Sequence, residues 1–305
     1  MKLILHLGAH RTGTTALQRG LQGRSRLLRD AGIGFWGPRA MRLGKRKTYI
    51  SGMVRPDAAR RAELAPVAAE FAAAFEKERA AGRKRLLISE ENALGAMRDN
   101  YRGATLYADA HARLSALAGL FPTPQRIFLC VRDYADYAVS IHGHLSTRIA
   151  IGDFDADRLQ HMGEHRGWTG VIGDIRSVFP DVRISVWRYA GRSAAVRGSI
   201  GAMLGHDLAQ TLGDMPRGQN RSPSRFALIE IAKLRRDRNG LTKHELQKLA
   251  ERFRDDLPGP RLEPFSHGQL TILRERFEAD WEALATGAVA GVDIFDPLDG
   301  MEAET

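Results

Sequence analysis

The sequence contains a single cysteine, Cys130, in 305 residues. No intramolecular disulfide can therefore form, and the apolar run IFLCV around Cys130 favours a buried core residue. Long hydrophobic runs are also missing, so no segment reaches the length of a transmembrane helix. The apolar run after Lys2 ends at His6 and Gly8, which is too early for a signal peptide. We expect a cytoplasmic protein without a transmembrane segment.

Acidic residues are fewer than basic ones: 36 Asp and Glu stand against 46 Lys and Arg, giving a formal charge of +10. This surplus favours an anionic partner such as nucleic acid, a polyanionic cofactor, an acidic glycan or a membrane surface. A basic nucleic-acid-binding protein would need a clustered basic face with aromatic platforms. The basic residues here are dispersed and only 7% of residues are aromatic, so we expect no nucleic-acid partner.

Repeats and low-complexity linkers are absent as well. We predict a single α/β domain over 1–290, with helical additions in the C-terminal third, and an acidic tail over 291–305 that is poorly ordered after Asp293. The apolar and periodic patterns predict strands at 3–7, 32–38, 86–88, 127–131 and 182–189. They predict helices at 14–29, 58–81, 105–120, 168–179, 193–204, 225–238, 242–255 and 266–285.

The most informative stretch is residues 3–21, LILHLGAHRTGTTALQRGL. An apolar strand leads into a loop bounded by Gly8 and Gly13, and a helix follows from Thr14 and Thr15. This arrangement presents free backbone N–H groups to a phosphate, and the two glycines permit a close approach. Arg11 adds a planar, positively charged guanidinium, and we expect the hydroxyls of Thr12, Thr14 and Thr15 to act as further hydrogen-bond donors.

The spacing of the two glycines is that of a P-loop, but a P-loop continues with Lys and then Ser or Thr. Here the lysine is missing and its charge is found at Arg11 instead. One alternative is an ordinary turn rich in Gly and Thr. Another is a P-loop phosphotransferase in which Glu90 or Glu91 holds magnesium, although the missing lysine counts against it.

The run Arg11-Thr12-Gly13-Thr14-Thr15 resembles the 5′-phosphosulfate loop of sulfotransferases that use 3′-phosphoadenosine-5′-phosphosulfate. That family usually has Lys at the position of Arg11. The resemblance implies a P-loop-like, three-layer fold, an open parallel sheet flanked by helices. It also implies that these five residues bind the cofactor, with Arg11 acting on the charge that develops in the reaction.

A second apolar strand, Leu86–Ile88, runs directly into Ser89, Glu90, Glu91 and Asn92. Ligands of open α/β sheets bind at such strand ends. The alternative is that Ser89 caps a short helix whose first turn the acids favour. We expect Glu90 and Glu91 to point to opposite sides. Resemblance to the Ser-x-Glu segment of glycan-modifying and bacterial sulfotransferases implies that Glu91 is the general base.

The segment 126–145 repeats the order of buried strand, polar turn and helix. Arg132 ends the strand and Ser140 lies eight residues later, so that both can hold one phosphate. Alternatively, Arg132 pairs with Asp133 or Asp136. The spacing resembles the 3′-phosphate motif of the sulfotransferases, and the family's cytosolic branch makes His142 the second candidate base.

Two further segments are predicted only loosely. The basic stretch 39–56 is interpreted as a solvated loop, with closure over an anionic ligand as the alternative. The stretch 218–224 has a helix cap at Ser222 and resembles an Asn-x-Ser segment of bacterial sulfotransferases. The histidines at 142, 144, 161 and 165 show no metal-ligand pattern.

Together these features predict a sulfotransferase. The cofactor is 3′-phosphoadenosine-5′-phosphosulfate, the nucleotide product is adenosine 3′,5′-bisphosphate, and no metal is expected. The acceptor, a hydroxyl or amine on a glycan, a lipid or a small metabolite, is not identified by the sequence.

Overall fold

The computed structural model describes residues 1–43, 58–149, 151–191, 193–213, 223–237, 242–256 and 259–299. The strands are β1 Lys2–His6, β2 Ile33–Trp36, β3 Arg85–Ser89, β4 Arg126–Val131, β5 Arg183–Arg188 and β6 Val292–Ile294. The helices are α1 Thr14–Gly23, α2 Ser25–Asp30, α3 Pro38–Met41, α4 Ala58–Ala80, α5 Met97–Gly103, α6 Ala110–Ala118, α7 Tyr134–Ser146, α8 Ala156–Leu159, α9 Trp168–Val178, α10 Ser193–Leu204, α11 His206–Leu212, α12 Arg225–Asp237, α13 Lys243–Asp256 and α14 His267–Ala285.

The six strands form one open sheet in the order β2-β3-β1-β4-β5-β6, and every pair is parallel. His6, the last residue of β1, is in register with Ser89 on β3 and with Phe128 on β4. The chain leaves β1 toward β2 on one side and leaves β4 toward β5 on the other. Ligands of open α/β sheets bind where neighbouring strands diverge in this way, beyond their carboxyl ends.

Alternate residues of the central strands supply two separate cores, one on each face of the sheet. Leu3 and Leu5 pack with the helices α4, α6, α7, α9 and α14. Ile4 and Cys130 pack on the other face with α1, α2, α10 and α11. Strands covered on both faces become apolar runs without polar alternation, which is how β1 and β4 read in the sequence. The α/β architecture with a layer of helices on each face of a parallel sheet is confirmed.

The five predicted strands are all present, and the sheet has a sixth strand that was not predicted. Residues Val292–Ile294 pair in parallel with β5 and form an edge of the sheet. Asp293 in this strand accepts hydrogen bonds from Arg183 and, at 2.8 Å, from Arg126. The acidic tail predicted from residue 291 therefore begins with an edge strand, which its ion pairs and backbone pairing hold in place.

Two predicted helices differ from the structure. The helix predicted over 14–29 is divided at Arg24, whose backbone N–H donates to Leu21 in a tighter turn. The helix predicted over 105–120 begins only at Ala110, because Tyr107 has a φ of +44°, which is incompatible with a right-handed helix. Among the described helices, none has the length and apolar character needed to cross a membrane.

Candidate functional site

The loop between β1 and α1 is shaped by its two glycines. Gly8 has a φ of +97°, and a Cβ atom on it would lie 2.8 Å from the Cβ of Glu91. Gly13, with a φ of +83°, is the N-cap of α1, and no side chain caps that end of the helix. A helix start without a side-chain cap leaves its first N–H groups directed at the space in front of it. The loop therefore packs closely on Glu91 and leaves an anion-accepting helix end.

The threonine hydroxyls of the loop turn inward. Thr12 Oγ1 donates to the carbonyl oxygen of Ala9 at 2.7 Å, and Thr14 Oγ1 donates to the same oxygen at 2.9 Å. Both threonines are buried. Their hydroxyl protons hold the loop together, which differs from our expectation that they are donors to an anion. Thr15 is half-buried at the start of α1.

Arg11 lies at the centre of the site. Its backbone is left-handed, with a φ of +61°. Its Nε donates to Ser140 Oγ at 2.9 Å, and Nη1 lies 3.3 Å from His144 Nδ1. Because a guanidinium can only donate, that histidine nitrogen accepts. Burial and the Arg11 charge lower the pKa of His144 to about 3. Burial, followed by the charge of Arg132, lowers the pKa of Arg11 to about 10.

Arg132, at the end of β4, meets the loop from the other side. Its Nη1 donates to the carbonyl oxygen of Arg11 at 2.6 Å, and its guanidinium lies 4.7 Å from the ring centre of Tyr189. Asp136 is 3.8 Å away and is also paired, at 2.8 Å, with Arg261. Within the described residues, the buried Nε of Arg132 has no hydrogen-bond partner. The two sequence motifs thus converge, with Arg132 and Ser140 contacting different atoms of Arg11.

The carboxylates after β3 share one cation. Arg42 contacts both oxygens of Glu90, with Nε 2.9 Å from Oε2, and its Nη2 lies 3.2 Å from Glu91 Oε1. The expectation that the two glutamates point to opposite sides is wrong, because one guanidinium reaches both. Burial raises the pKa of Glu90 above its ordinary value, although Arg42 opposes the shift.

Glu91 is the more exposed of the two carboxylates, and so the more accessible to a ligand. Gln18 donates to its Oε2 at 2.7 Å. Burial raises the pKa of Glu91, but His10, Arg42 and Gln18 lower it, and the resulting pKa is below the ordinary value. Glu91 is therefore a carboxylate at neutral pH, and its side chain is 16% exposed against 1% for Glu90.

Glu90 and Ser89 have structural partners that the sequence analysis assigned differently. Glu90, and not Ser89, caps the short 3-10 helix Glu91–Ala93 by accepting from the N–H of Asn92 at 2.9 Å. Ser89 Oγ instead lies 2.8 Å from His6 Nδ1 and accepts from Gln18 Nε2 at 3.2 Å. Gln18 thus links α1 to the end of β3 beneath the loop.

His10 ties the loop to Tyr107 and Asn92 through its backbone and both ring nitrogens. Its backbone N–H donates to the hydroxyl of Tyr107 at 2.9 Å, and its Nδ1 is also 2.9 Å from that hydroxyl. Its Nε2 lies 3.0 Å from Asn92 Oδ1, which can only accept. The imidazole therefore carries its proton on Nε2 and accepts from Tyr107 at Nδ1. Burial lowers the pKa of His10, in agreement with this neutral form.

His142, the second candidate base, lies elsewhere. Its Nδ1 is 2.8 Å from the hydroxyl of Tyr101, and its ring packs against Phe154. Burial, and then the charge of Arg235, lowers its pKa to about 4. Two residues correspond to about 200° around a helix, so His142 and Ser140 face different directions on α7. The contacts found for His142 in the described chain are with neither the loop nor the glutamates.

A pocket adjoins the loop on the β5 side, with an empty volume of about 320 Å³ that includes open solvent. Thr12, Gly13 and Thr14 form one wall, and the rings of Trp187 and Tyr189 form another. The loop that accepts an anion and these two rings thus line one partly open pocket. In the described ranges, no group of three or more His, Cys, Asp or Glu is placed to hold a metal ion.

Several site residues were not anticipated. Gln18 had a detectable signal, because a polar residue beside Leu17 and Leu21 on a buried helix face needs an internal partner. Arg42 had none, since its contacts are with residues 48 and 49 positions away. The basic stretch 39–56 was expected to be a solvated loop, but its first residues belong to α3 and Met41 is buried. The remainder of the stretch, 44–56, and the predicted cap at Ser222 lie outside the described residues.

Comparison with known proteins assigns no family or function to this chain. No family model, no curated protein and no solved structure gives a significant match.

Proposed function

We propose that the protein is a sulfotransferase with a P-loop-like fold that uses 3′-phosphoadenosine-5′-phosphosulfate. One observation carries the proposal. Arg11 from the first loop donates to Ser140 at 2.9 Å and accepts from Arg132 at 2.6 Å through its carbonyl, so two motifs distant in sequence lie side by side, each with an arginine. A nucleotide with phosphates at both its 5′ and 3′ positions needs two cationic positions of this kind.

The residues present fit such a nucleotide. The start of α1 has no side-chain cap, and the buried Nε of Arg132 has no partner among the described residues. Both are donors that an anion would satisfy. The pocket beside the loop, with the rings of Trp187 and Tyr189, offers a surface for the nucleobase. Thr12, Gly13, Thr14 and Thr15 supply the shape and backbone of the 5′ position.

The cofactor, when bound, supplies the sulfuryl group: the acceptor oxygen or nitrogen bonds to sulfur while the bond from sulfur to the 5′-phosphate oxygen breaks. That oxygen keeps the electron pair. Arg11 and the N–H groups at the start of α1 stabilise the charge it gains. Glu91 takes the acceptor proton, for which it must come within hydrogen-bond reach. Arg42 and Gln18 hold the Glu91 carboxylate in place.

The alternative of a magnesium-dependent phosphotransferase is weaker. Glu90 and Glu91, the carboxylates that would hold the metal, are both paired with Arg42. A metal at this position would have to compete with the guanidinium for both carboxylates.

A thermal-shift comparison tests the proposal, because a ligand that binds only the native state raises its stability by mass action. We expect adenosine 3′,5′-bisphosphate to raise the melting temperature without magnesium, and ATP with magnesium to have little effect. A shift with ATP and magnesium alone would instead support the phosphotransferase.

A further inference from the structure

We call the region formed by the loop after β1, the carboxylates after β3 and the residues of α7 that contact Arg11 the cleft. Its cationic side continues past the residues assigned to the nucleotide. Ser140, His144 and Arg148 are spaced four residues apart, and residues at this spacing lie on one side of a helix. The helical turn extends beyond the end of α7, because the N–H of Ile149 donates to the carbonyl of Leu145 at 2.9 Å. Arg11 contacts the first two members of the row, Ser140 and His144. Arg148 is the third.

Arg148 is half-buried and cationic. In the part of the chain that the structure describes, no hydrogen bond or ion pair of its side chain is found. Burial, and then the nearby charge of Arg19, lowers the pKa of Arg148. Its own charge in turn lowers the pKa of Arg11. An arginine does not lose its proton under such pressure, so an anion beside Arg148 would relieve the cost.

This position is separate from the nucleotide phosphates. Arg148 lies eight residues beyond Ser140, or about 12 Å along the helix axis at 1.5 Å per residue. Arg132, assigned to the 3′-phosphate, is at the opposite end of α7. His144 between them is neutral at physiological pH, since its pKa is about 3. Arg148 is therefore a cation separate from both positions assigned to the nucleotide phosphates.

We propose that the row formed by Ser140, His144 and Arg148 is the acceptor side of the cleft and binds an anionic acceptor, one that carries a carboxylate or sulfate besides the group that is sulfated. That the ligand is an acceptor rests on the proposed function; that the position binds an anion does not. An acceptor with a fixed negative charge would orient its nucleophile by pairing with Arg148.

The anion position is tested with sulfate as the probe. Protein saturated with adenosine 3′,5′-bisphosphate is melted in increasing sodium sulfate, against sodium chloride at equal ionic strength. The matched variants are Arg148→Gln and Arg102→Gln, the latter an exposed arginine at the end of α5. We expect a saturable stabilisation in the wild type and in Arg102→Gln, and at least tenfold weaker sulfate affinity in Arg148→Gln. An unchanged response in Arg148→Gln would overturn the site.

The acceptor class is tested with 4-methylumbelliferyl glucuronide and 4-methylumbelliferyl glucoside, which differ in one carboxylate. We expect tighter binding of the glucuronide to the nucleotide-loaded protein, and loss of that preference in Arg148→Gln. Equal binding of the two probes, or a preference that survives the substitution, contradicts the anionic acceptor. If the protein fails to bind adenosine 3′,5′-bisphosphate at all, the sulfotransferase proposal fails. The sulfate titration without nucleotide then still decides the anion position, because it compares Arg148→Gln with the wild type and Arg102→Gln.

Discussion

The two sides of the cleft differ in whether their charged side chains are paired with a counterion within the protein. On the carboxylate side, formed by Glu90, Glu91 and Arg42, each charge meets an opposite one within the protein. On the arginine side, formed by Arg11, Arg132 and Arg148, Arg11 donates to the hydroxyl of Ser140. Arg132 contacts a backbone carbonyl, the ring of Tyr189 and, only at 3.8 Å, the half-exposed carboxylate of Asp136. A buried charge without a counterion is more costly than a paired one, because nothing offsets its loss of hydration. The arginine side is therefore expected to receive its counterions from ligands, and the carboxylate side to act on them.

The largest effect should come from removing the proposed base. Glu91→Gln keeps the shape and the bond from Gln18 but removes the basicity, so turnover of 3′-phosphoadenosine-5′-phosphosulfate should fall by about a hundred- to ten-thousandfold. The affinity for adenosine 3′,5′-bisphosphate should hardly change. His142→Ala is the control, because His142 packs on Tyr101 away from the loop. Loss of turnover in His142→Ala with retention in Glu91→Gln would assign the base to histidine.

The next effect concerns the shared cation. Arg42→Gln leaves Glu90 buried without its partner, which should cost up to about 3–5 kcal/mol in the free energy of unfolding at pH 7. Urea denaturation measures this loss.

The pH dependence of that loss has a definite sign. Glu90 has a raised pKa in the folded state, so its stabilising contribution is present below the ordinary carboxyl range and is lost as pH rises through the folded pKa. Without Arg42 that pKa rises further, and the deficit should shrink as the solution is acidified from pH 7. A double variant with Glu90→Gln should recover most of the stability. A deficit that grows on acidification contradicts the assignment of the cost to Glu90.

A comparable effect on rate, but not on stability, is expected on the arginine side. Arg11→Ala should lower kcat by about a hundred- to a thousandfold, because it removes a donor aimed at developing charge. Product-nucleotide affinity should fall less, since the interaction strengthens in the transition state. Arg11→Lys should retain much of the rate. Equal kcat in the wild type and Arg11→Ala would leave Arg11 as a loop residue only.

The smallest effect tests the support beneath the loop. Tyr107→Phe leaves the N–H of His10 without its acceptor, at a cost of about 1–3 kcal/mol in unfolding free energy. It should also weaken binding of adenosine 3′,5′-bisphosphate, because the loop is held by His10. Tyr101→Phe is the matched control: its hydroxyl contacts His142, so stability should fall while nucleotide affinity stays. Similar nucleotide affinities in the two variants would show that the hydrogen bonds between Tyr107 and His10 do not support nucleotide binding.

The sequence was informative where neighbouring residues determine the outcome. The apolar runs identified β1 and β4 because strands covered on both faces need continuous apolar residues. The glycine-bounded loop with Arg11 was also visible, because Gly8 and Gly13 mark two positions where the backbone has a positive φ. The proximity of Arg132 to the loop depends on the strand order, which places β1 beside β4, and before the structure only the resemblance implied it.

What the sequence left open depends on distant contacts. Nothing around Arg42 indicates that it bridges Glu90 and Glu91, and the inward turn of Thr12 depends on the carbonyl of Ala9. The edge strand β6 is short and polar, and Asp293 within it reads as part of an acidic tail until Arg183 is placed beside it. In each case the deciding partner belongs to another turn, strand or helix.

The central claim is a nucleotide site with a separate position for a 3′-phosphate. Isothermal titration calorimetry with adenosine 3′,5′-bisphosphate and 5′-AMP tests it most directly, in the wild type and in Arg132→Gln and Ser140→Ala. We predict that the wild type binds the bisphosphate about ten- to a hundredfold more tightly than 5′-AMP, as one charge-assisted contact would give, and that both variants lose this preference. Equal affinity of the wild type for the two nucleotides would contradict the account.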